Sequence, residues 1–131
     1  MSKYSFVGEF EINASKKMLY PYLSTASGLA QWFADDVNID EDGVFTIIWD
    51  GEENKAKMVA HRTHNMVKFE FIPNDQNDTD PNHVEFYLDM NELTQEVFIR
   101  VTDYSDMDDE EELSDLWENL MAELKQIVGG R

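Results

Sequence analysis

The chain contains no cysteine, which excludes disulfides, thiol nucleophiles and thiolate metal sites. It is also poor in positive charge, with 10 lysines and arginines against 28 acids and a formal net charge of -18. Such a surface repels phosphate backbones and anionic headgroups, so no nucleic-acid partner is expected. The same charge favours basic partners and high solubility. No apolar run approaches the ~18 residues of a membrane span, and the opening MSKYSFVGEF holds none of signal-peptide length. The expectation is a cytoplasmic protein without membrane insertion. The G-x-S-x-G, P-loop and dinucleotide fingerprints are missing as well. Carboxylates are plentiful but fall on turns and helix ends, where water keeps them ionised and poor as proton donors. No cofactor is expected, and nothing in the residues argues for an enzyme.

What remains is an ordinary globular composition. Across 131 residues, 42% are hydrophobic and 12% aromatic, enough for one domain over residues 1–131 with a core of its own. The dominant feature is the last stretch, from Asp106 to Val128. Leu113, Leu116, Trp117, Leu120, Met121, Leu124, Ile127 and Val128 recur at the i, i+3, i+4, i+7 spacing of one helical face. Ser105 or Asp106 is positioned to cap its start, the acids from Asp108 to Glu112 complement its dipole, and Gly129-Gly130 can end it. So broad a stripe requires a large apolar surface to lie on.

The upstream residues supply one. Tyr4 to Ile12 alternates with the period of a half-buried strand, placing Phe6, Phe10 and Ile12 on one face. A short helix follows from Lys16 to Tyr20, which Pro21 should end or kink. Ser24-Thr25-Ala26-Ser27 opens a second, carrying Leu29, Trp32 and Phe33 and ending at Ala34-Asp35. The rest reads as six strands: Val37 to Asp40, Val44 to Trp49, Lys55 to Thr63, Met66 to Ile72, His83 to Met90 and Gln95 to Thr102. Asp42-Gly43 and Asp50-Gly51 mark tight hairpins, and Pro73 to Asn82 is loop. The apolar rows are Ala56, Met58 and Ala60; Val67, Phe69 and Phe71; Val84, Phe86, Leu88 and Met90; Val97, Ile99 and Val101. The order β-α-α-β6-α predicts an α+β fold in which a curved seven-stranded antiparallel sheet wraps a long carboxy-terminal helix.

That order, together with Ser24-Thr25-Ala26-Ser27-Gly28-Leu29-Ala30-Gln31-Trp32-Phe33-Ala34-Asp35-Asp36, resembles the START-like (helix-grip, SRPBCC) superfamily. The nearer resemblance is to the branch related to activators of heat-shock-protein ATPase and to small bacterial START-like domains. It implies a cavity between sheet and helix. Some members bind lipids, hormones or polyketides, a few catalyse, and the activators contact a chaperone. On that fold Met18, Trp32, Phe33, Met58, Phe69, Phe71, Phe86, Leu88, Trp117, Leu120, Met121 and Leu124 converge on the cavity. Arg100 joins them if its face of the strand turns inward, where it could grip a carboxylate; Val97, Ile99 and Val101 argue for the opposite face. The expected function is non-enzymatic binding of an apolar or amphipathic small molecule, in a buried void of at least ~300 Å3. Phe69, Phe86 and Trp117 would close such a void if they filled it. The alternative is a protein-interaction module of the chaperone-activator type, presenting an acidic surface to a basic partner.

Three further features have ordinary explanations. Asn38, Asp40, Asp42 and Gly43 imitate the start of a calcium loop, but Trp49 stands where its bidentate glutamate belongs, and a hairpin explains Asp42-Gly43. Asp75, Asp78 and Asp80 read as a solvated loop. His61, His64 and His83 lack the spacing of a metal set.

Overall fold

The computed structural model describes residues 3–75, 77–107 and 109–129. Its elements run β1 (Tyr4–Ile12), α1 (Lys16–Ser24), α2 (Ala26–Leu29), β2 (Asp36–Ile39), β3 (Val44–Trp49), β4 (Glu52–Arg62), β5 (Met66–Phe71), β6 (His83–Met90), β7 (Val97–Ser105) and α3 (Glu110–Val128). The strands form one seven-stranded sheet in the order β1-β7-β6-β5-β4-β3-β2, every pair antiparallel. From β2 to β7 the sheet is a meander of hairpins. The two short helices carry the chain from one edge strand, β1, to the other, β2.

Each hairpin has its own chemistry. Asp50 (φ 50°) and Gly51 (φ 80°) both adopt left-handed backbone between β3 and β4, the combination a two-residue turn needs to match strand twist. Asp40 Oδ1 accepts from the backbone N–H of Asp42 and of Val44, both at 2.9 Å. The residues that imitate a calcium loop therefore serve the β2–β3 turn.

The alternating residues meet on one face. Phe45, Ile47, Ala56, Val67, Phe69, Val84, Phe86, Leu88, Val97, Ile99 and Val101 are all buried. Against them α3 lays Leu113, Trp117, Met121 and Leu124. Leu19 and Leu23 from α1 and Leu29 from α2 complete the core.

Local boundaries differ from the pattern in instructive ways. Helix α1 runs through Pro21, because the proline carbonyl still accepts from Thr25 N at 3.2 Å and Thr25 Oγ1 at 2.7 Å. Helix α2 closes at Leu29, leaving Trp32 and Phe33 on the turn residues beyond it. The ladder shifts register between Met58 and Ala60, a bulge that takes Ala60 out of the row begun by Ala56 and Met58. Strand β7 extends to Ser105, and α3 begins at Glu110 with Asp109 as its cap, whose carboxylate accepts from Glu112 N at 3.1 Å.

Candidate functional site

Three indoles define a large concavity beside the first half of α3. Trp32 Nε1 donates to Tyr22 O at 2.8 Å, Trp49 Nε1 to Phe33 O at 2.7 Å, and Trp117 Nε1 to Asp103 Oδ2 at 2.8 Å. Each polar edge is thus spent on a fixed partner, and the rings keep a set orientation. Phe33 sits among them, with its centroid 5.2 Å from Trp49 and 6.0 Å from Trp117, the latter stacked. Around this cluster lies a groove of about 1160 Å3, bounded by the turn after α2, the β3–β4 hairpin, the β5–β6 loop, the end of β7 and the first half of α3. Its exposed apolar surface comes from Trp49, Phe71, Leu116 and Leu120, backed by the buried side chains of Trp32, Phe33, Val84, Leu113 and Trp117. Ile72, Met107 and Leu116 at its edge are large apolar side chains left exposed to solvent.

The groove opens to solvent and is not the enclosed void that the sequence suggested. Beneath α3 the space is filled. Phe86 and Trp117 meet edge to face at 5.9 Å, and Phe69 packs on Phe45 at 5.1 Å. Of the residues expected to line a cavity, Trp32, Phe33, Phe71, Trp117 and Leu120 do line the groove. Phe69, Phe86, Leu88, Met121 and Leu124 belong to the filled core, and Met58 is half-buried against it. Two are misplaced. Met18 is 54% exposed on the outward side of α1, because Leu19 and Leu23 hold that short helix to the core. Arg100 lies on the outer face of β7 with its guanidinium over the Tyr87 ring, 4.8 Å from the centroid, because Val97, Ile99 and Val101 take the inner one.

The polar end of the groove comes from strand alternation carried further than the pattern suggests. The series Val97, Ile99, Val101 continues to Asp103, which pairs with Val84 across β6–β7. That parity turns a carboxylate inward. Desolvation raises its pKa above the ordinary aspartate value, against the opposing influence of its hydrogen bonds with Trp117 and Ser105 and of His83. The row Phe86, Val84 of β6 runs back, one residue before the strand begins, to Asn82, whose Oδ1 is buried and has no hydrogen-bond partner among the described residues. His83, on the other face, stacks on Tyr104 at 5.0 Å, and its pKa is lowered by desolvation and then by Lys68. The loop roofing this end is tied down. Tyr104 Oη donates to Asp80 Oδ2 at 2.6 Å, and Lys3 Nζ lies 3.6 Å from Asp78. Asp75 and Asp78 each cap a backbone N–H of that loop.

A sequence profile described as a START-like superfamily domain matches residues 1–130. The chain belongs to that superfamily. This START-like domain is similar to BfR322 from Bacteroides fragilis, with 32% identity over 97% of this chain and 92% of the other and a TM-score of 0.64. It is also similar in fold to the Aha1 dimer from Colwellia psychrerythraea, at 18% identity over 95% and 96% of the two chains with a TM-score of 0.75. Protein MLL2253 from Mesorhizobium loti gives 15% identity over 96% and 97%, also with a TM-score of 0.75. No curated protein matches. Among the described residues, no helix of the START-like domain is long and apolar enough to cross a membrane.

One consequence concerns stability. A carboxyl whose folded pKa is raised binds more protons in the native state than in the unfolded chain, so its contribution to stability is lost as pH rises through the folded value. Asp103→Asn keeps an oxygen for Trp117 Nε1 and removes the charge. The variant is therefore expected to melt at a higher temperature than the parent at neutral pH. The gap should close on acidification below the ordinary aspartate range, where Asp103 is neutral in both states. His83, with its lowered pKa, adds a slope of opposite sign in both proteins. Thermal melts over a pH series check this, and a lower melting temperature for Asp103→Asn at neutral pH would refute it.

Proposed function

We propose that this START-like domain binds an apolar or amphipathic small molecule, without bond chemistry, in the groove beside the first half of α3. One observation carries the reading: the groove combines a rigid aromatic floor with a few inward polar atoms, and its volume of about 1160 Å3 is ample for a drug-sized ligand, for which pockets of ~300–1,000 Å3 are typical. Burial of ligand surface against Trp49, Phe71, Leu116 and Leu120, with Phe33 and Trp117 packed beneath them, supplies the affinity, at about 25 cal/mol per Å2 of apolar area removed from water. The polar atoms of Asn82 and Asp103 fix the orientation. The alternative, an interaction module of the chaperone-activator kind with a basic partner, rests on net charge alone, since the likeness to the Aha1 dimer at 18% identity speaks for the fold only.

All three tryptophans of the chain line the groove, so intrinsic fluorescence reports its occupancy. Titration with decanol, a neutral amphiphile, is expected to change the emission saturably with a one-to-one stoichiometry. A linear response without saturation would count against the groove as a binding site.

A further inference from the structure

The walls of the groove say more about its ligand than its floor does. Seven lining residues are acidic and one, Lys55, is basic. Two acceptors stand inside this ring, the Asp103 carboxylate on the inner face of β7 and, in the residue before β6, the buried Asn82 Oδ1, which has no partner among the described residues. The two positions are neighbours at one end of the sheet, because His83, next to Asn82, pairs with Tyr104, next to Asp103, and Val84 pairs with Asp103. Trp117 Nε1 already occupies one oxygen of Asp103. Ser105 also hydrogen-bonds to that carboxylate, so neutral donors are present and what the lining is short of is positive charge.

We propose that the groove is selective for cationic amphiphiles, molecules joining one protonated amine to an apolar chain or ring, and that it rejects the corresponding carboxylates. The proposal rests on the small-molecule reading above and adds the sign of the ligand's charge. The ammonium group sits between Asp103 and Asn82 Oδ1, donating to both. The apolar part lies on Trp49, Phe71, Leu116 and Leu120. An anionic headgroup placed there would face Asp103 and Asp106, with Lys55 the one cation among the lining residues, in a site partly shielded from water, where like charges repel more strongly than in bulk. Asp103 is thereby given a purpose for which its burial is otherwise unfavourable: it is held inside the apolar face to meet a cation, and stability is the quantity sacrificed.

The test uses the whole chain and three probes of equal tail length, decylamine, decanol and decanoate, each below its aggregation threshold at neutral pH. Tryptophan emission and calorimetry read affinity and stoichiometry. Decylamine is expected to bind one-to-one and at least about tenfold more tightly than decanol, with decanoate weakest, because a paired charge in a shielded site exceeds a neutral hydrogen bond. Raising salt should narrow the spread, since part of the attraction comes from the exposed rim. In Asp103→Asn the amine should lose about tenfold or more, and with it most of its advantage over decanol. Binding of decanol with no preference between amine and carboxylate would overturn the charge selectivity and leave the small-molecule reading standing. Failure of all three would remove both. Binding of many decylamine molecules per chain, unaffected by Asp103→Asn, would also overturn the proposal, because it would be adsorption to the acidic surface at large.

Discussion

Replacement of Trp117 by alanine is expected to destabilise the protein by about 3–5 kcal/mol, the usual cost of emptying a large aromatic from a packed core. Trp117 is 2% exposed and meets Phe33 and Phe86 within 6.0 Å, so the rings around it cannot collapse into the space without giving up their own contacts. The truncation also removes the indole N–H that Asp103 accepts. Trp117→Phe separates the two losses: most of the ring volume stays and only the donor goes. Its expected cost is about 1–3 kcal/mol, the range for leaving a shielded acceptor without a partner. Chemical denaturation of both variants checks the order. Equal, small effects for the two would mean that Trp117 is not packed between sheet and helix as described.

Gly28→Ala should rank with it. A Cβ at Gly28 would lie 2.2 Å from Pro21 O and 2.7 Å from Tyr22 Cα. These are backbone atoms of α1, so no rotamer change relieves the clash and the two short helices must separate. Leu29, Trp32 and Phe33 would move with them. The expected cost is about 3 kcal/mol, the upper part of the range for overpacking, visible as a melting temperature lower by roughly 10 °C. Gly43→Ala is the control. It carries a positive φ of 81° but has nothing within 4 Å of a built Cβ, so only backbone strain of about 1–2 kcal/mol opposes it. A Gly28→Ala protein as stable as Gly43→Ala would show that α1 and α2 do not approach so closely.

Much of the architecture was legible because it follows from parity. Val84-Phe86-Leu88 and Val97-Ile99-Val101 each keep one face through a whole strand, and the α3 stripe has the helical period. Those rows determine which side of the sheet the helix covers. They also explain why Arg100 faces out. Strand ends were less legible, and the site lies at strand ends. Reading β7 as finished at Thr102 hid Asp103, although the apolar series reaches it two residues on. Asn82 was assigned to the loop although it continues the row of Val84 and Phe86. Trp49 has the parity of Phe45 and Ile47, and that signal alone could have placed it beside Phe33. The distinction between filled core and groove was not available from composition. Phe86 and Phe71 are the same residue type on neighbouring strands, yet the first is fully buried and the second lines the groove. The difference lies in where along the curved sheet each sits relative to the start of α3. Met18 was misread because helix α1, with its proline, is too short for periodicity to decide which side faces inward.

Occupancy of the groove beside the first half of α3 by an amphiphile is read most directly at the indoles that line it. Nitrogen-15 labelled protein carries three indole N–H signals, from Trp32, Trp49 and Trp117, and their resonances can be followed while decanol is added. Occupancy of the groove predicts that all three shift together and saturate at one equivalent, with the amides of β1 undisturbed. Indole signals that stay fixed while amides elsewhere move would contradict it.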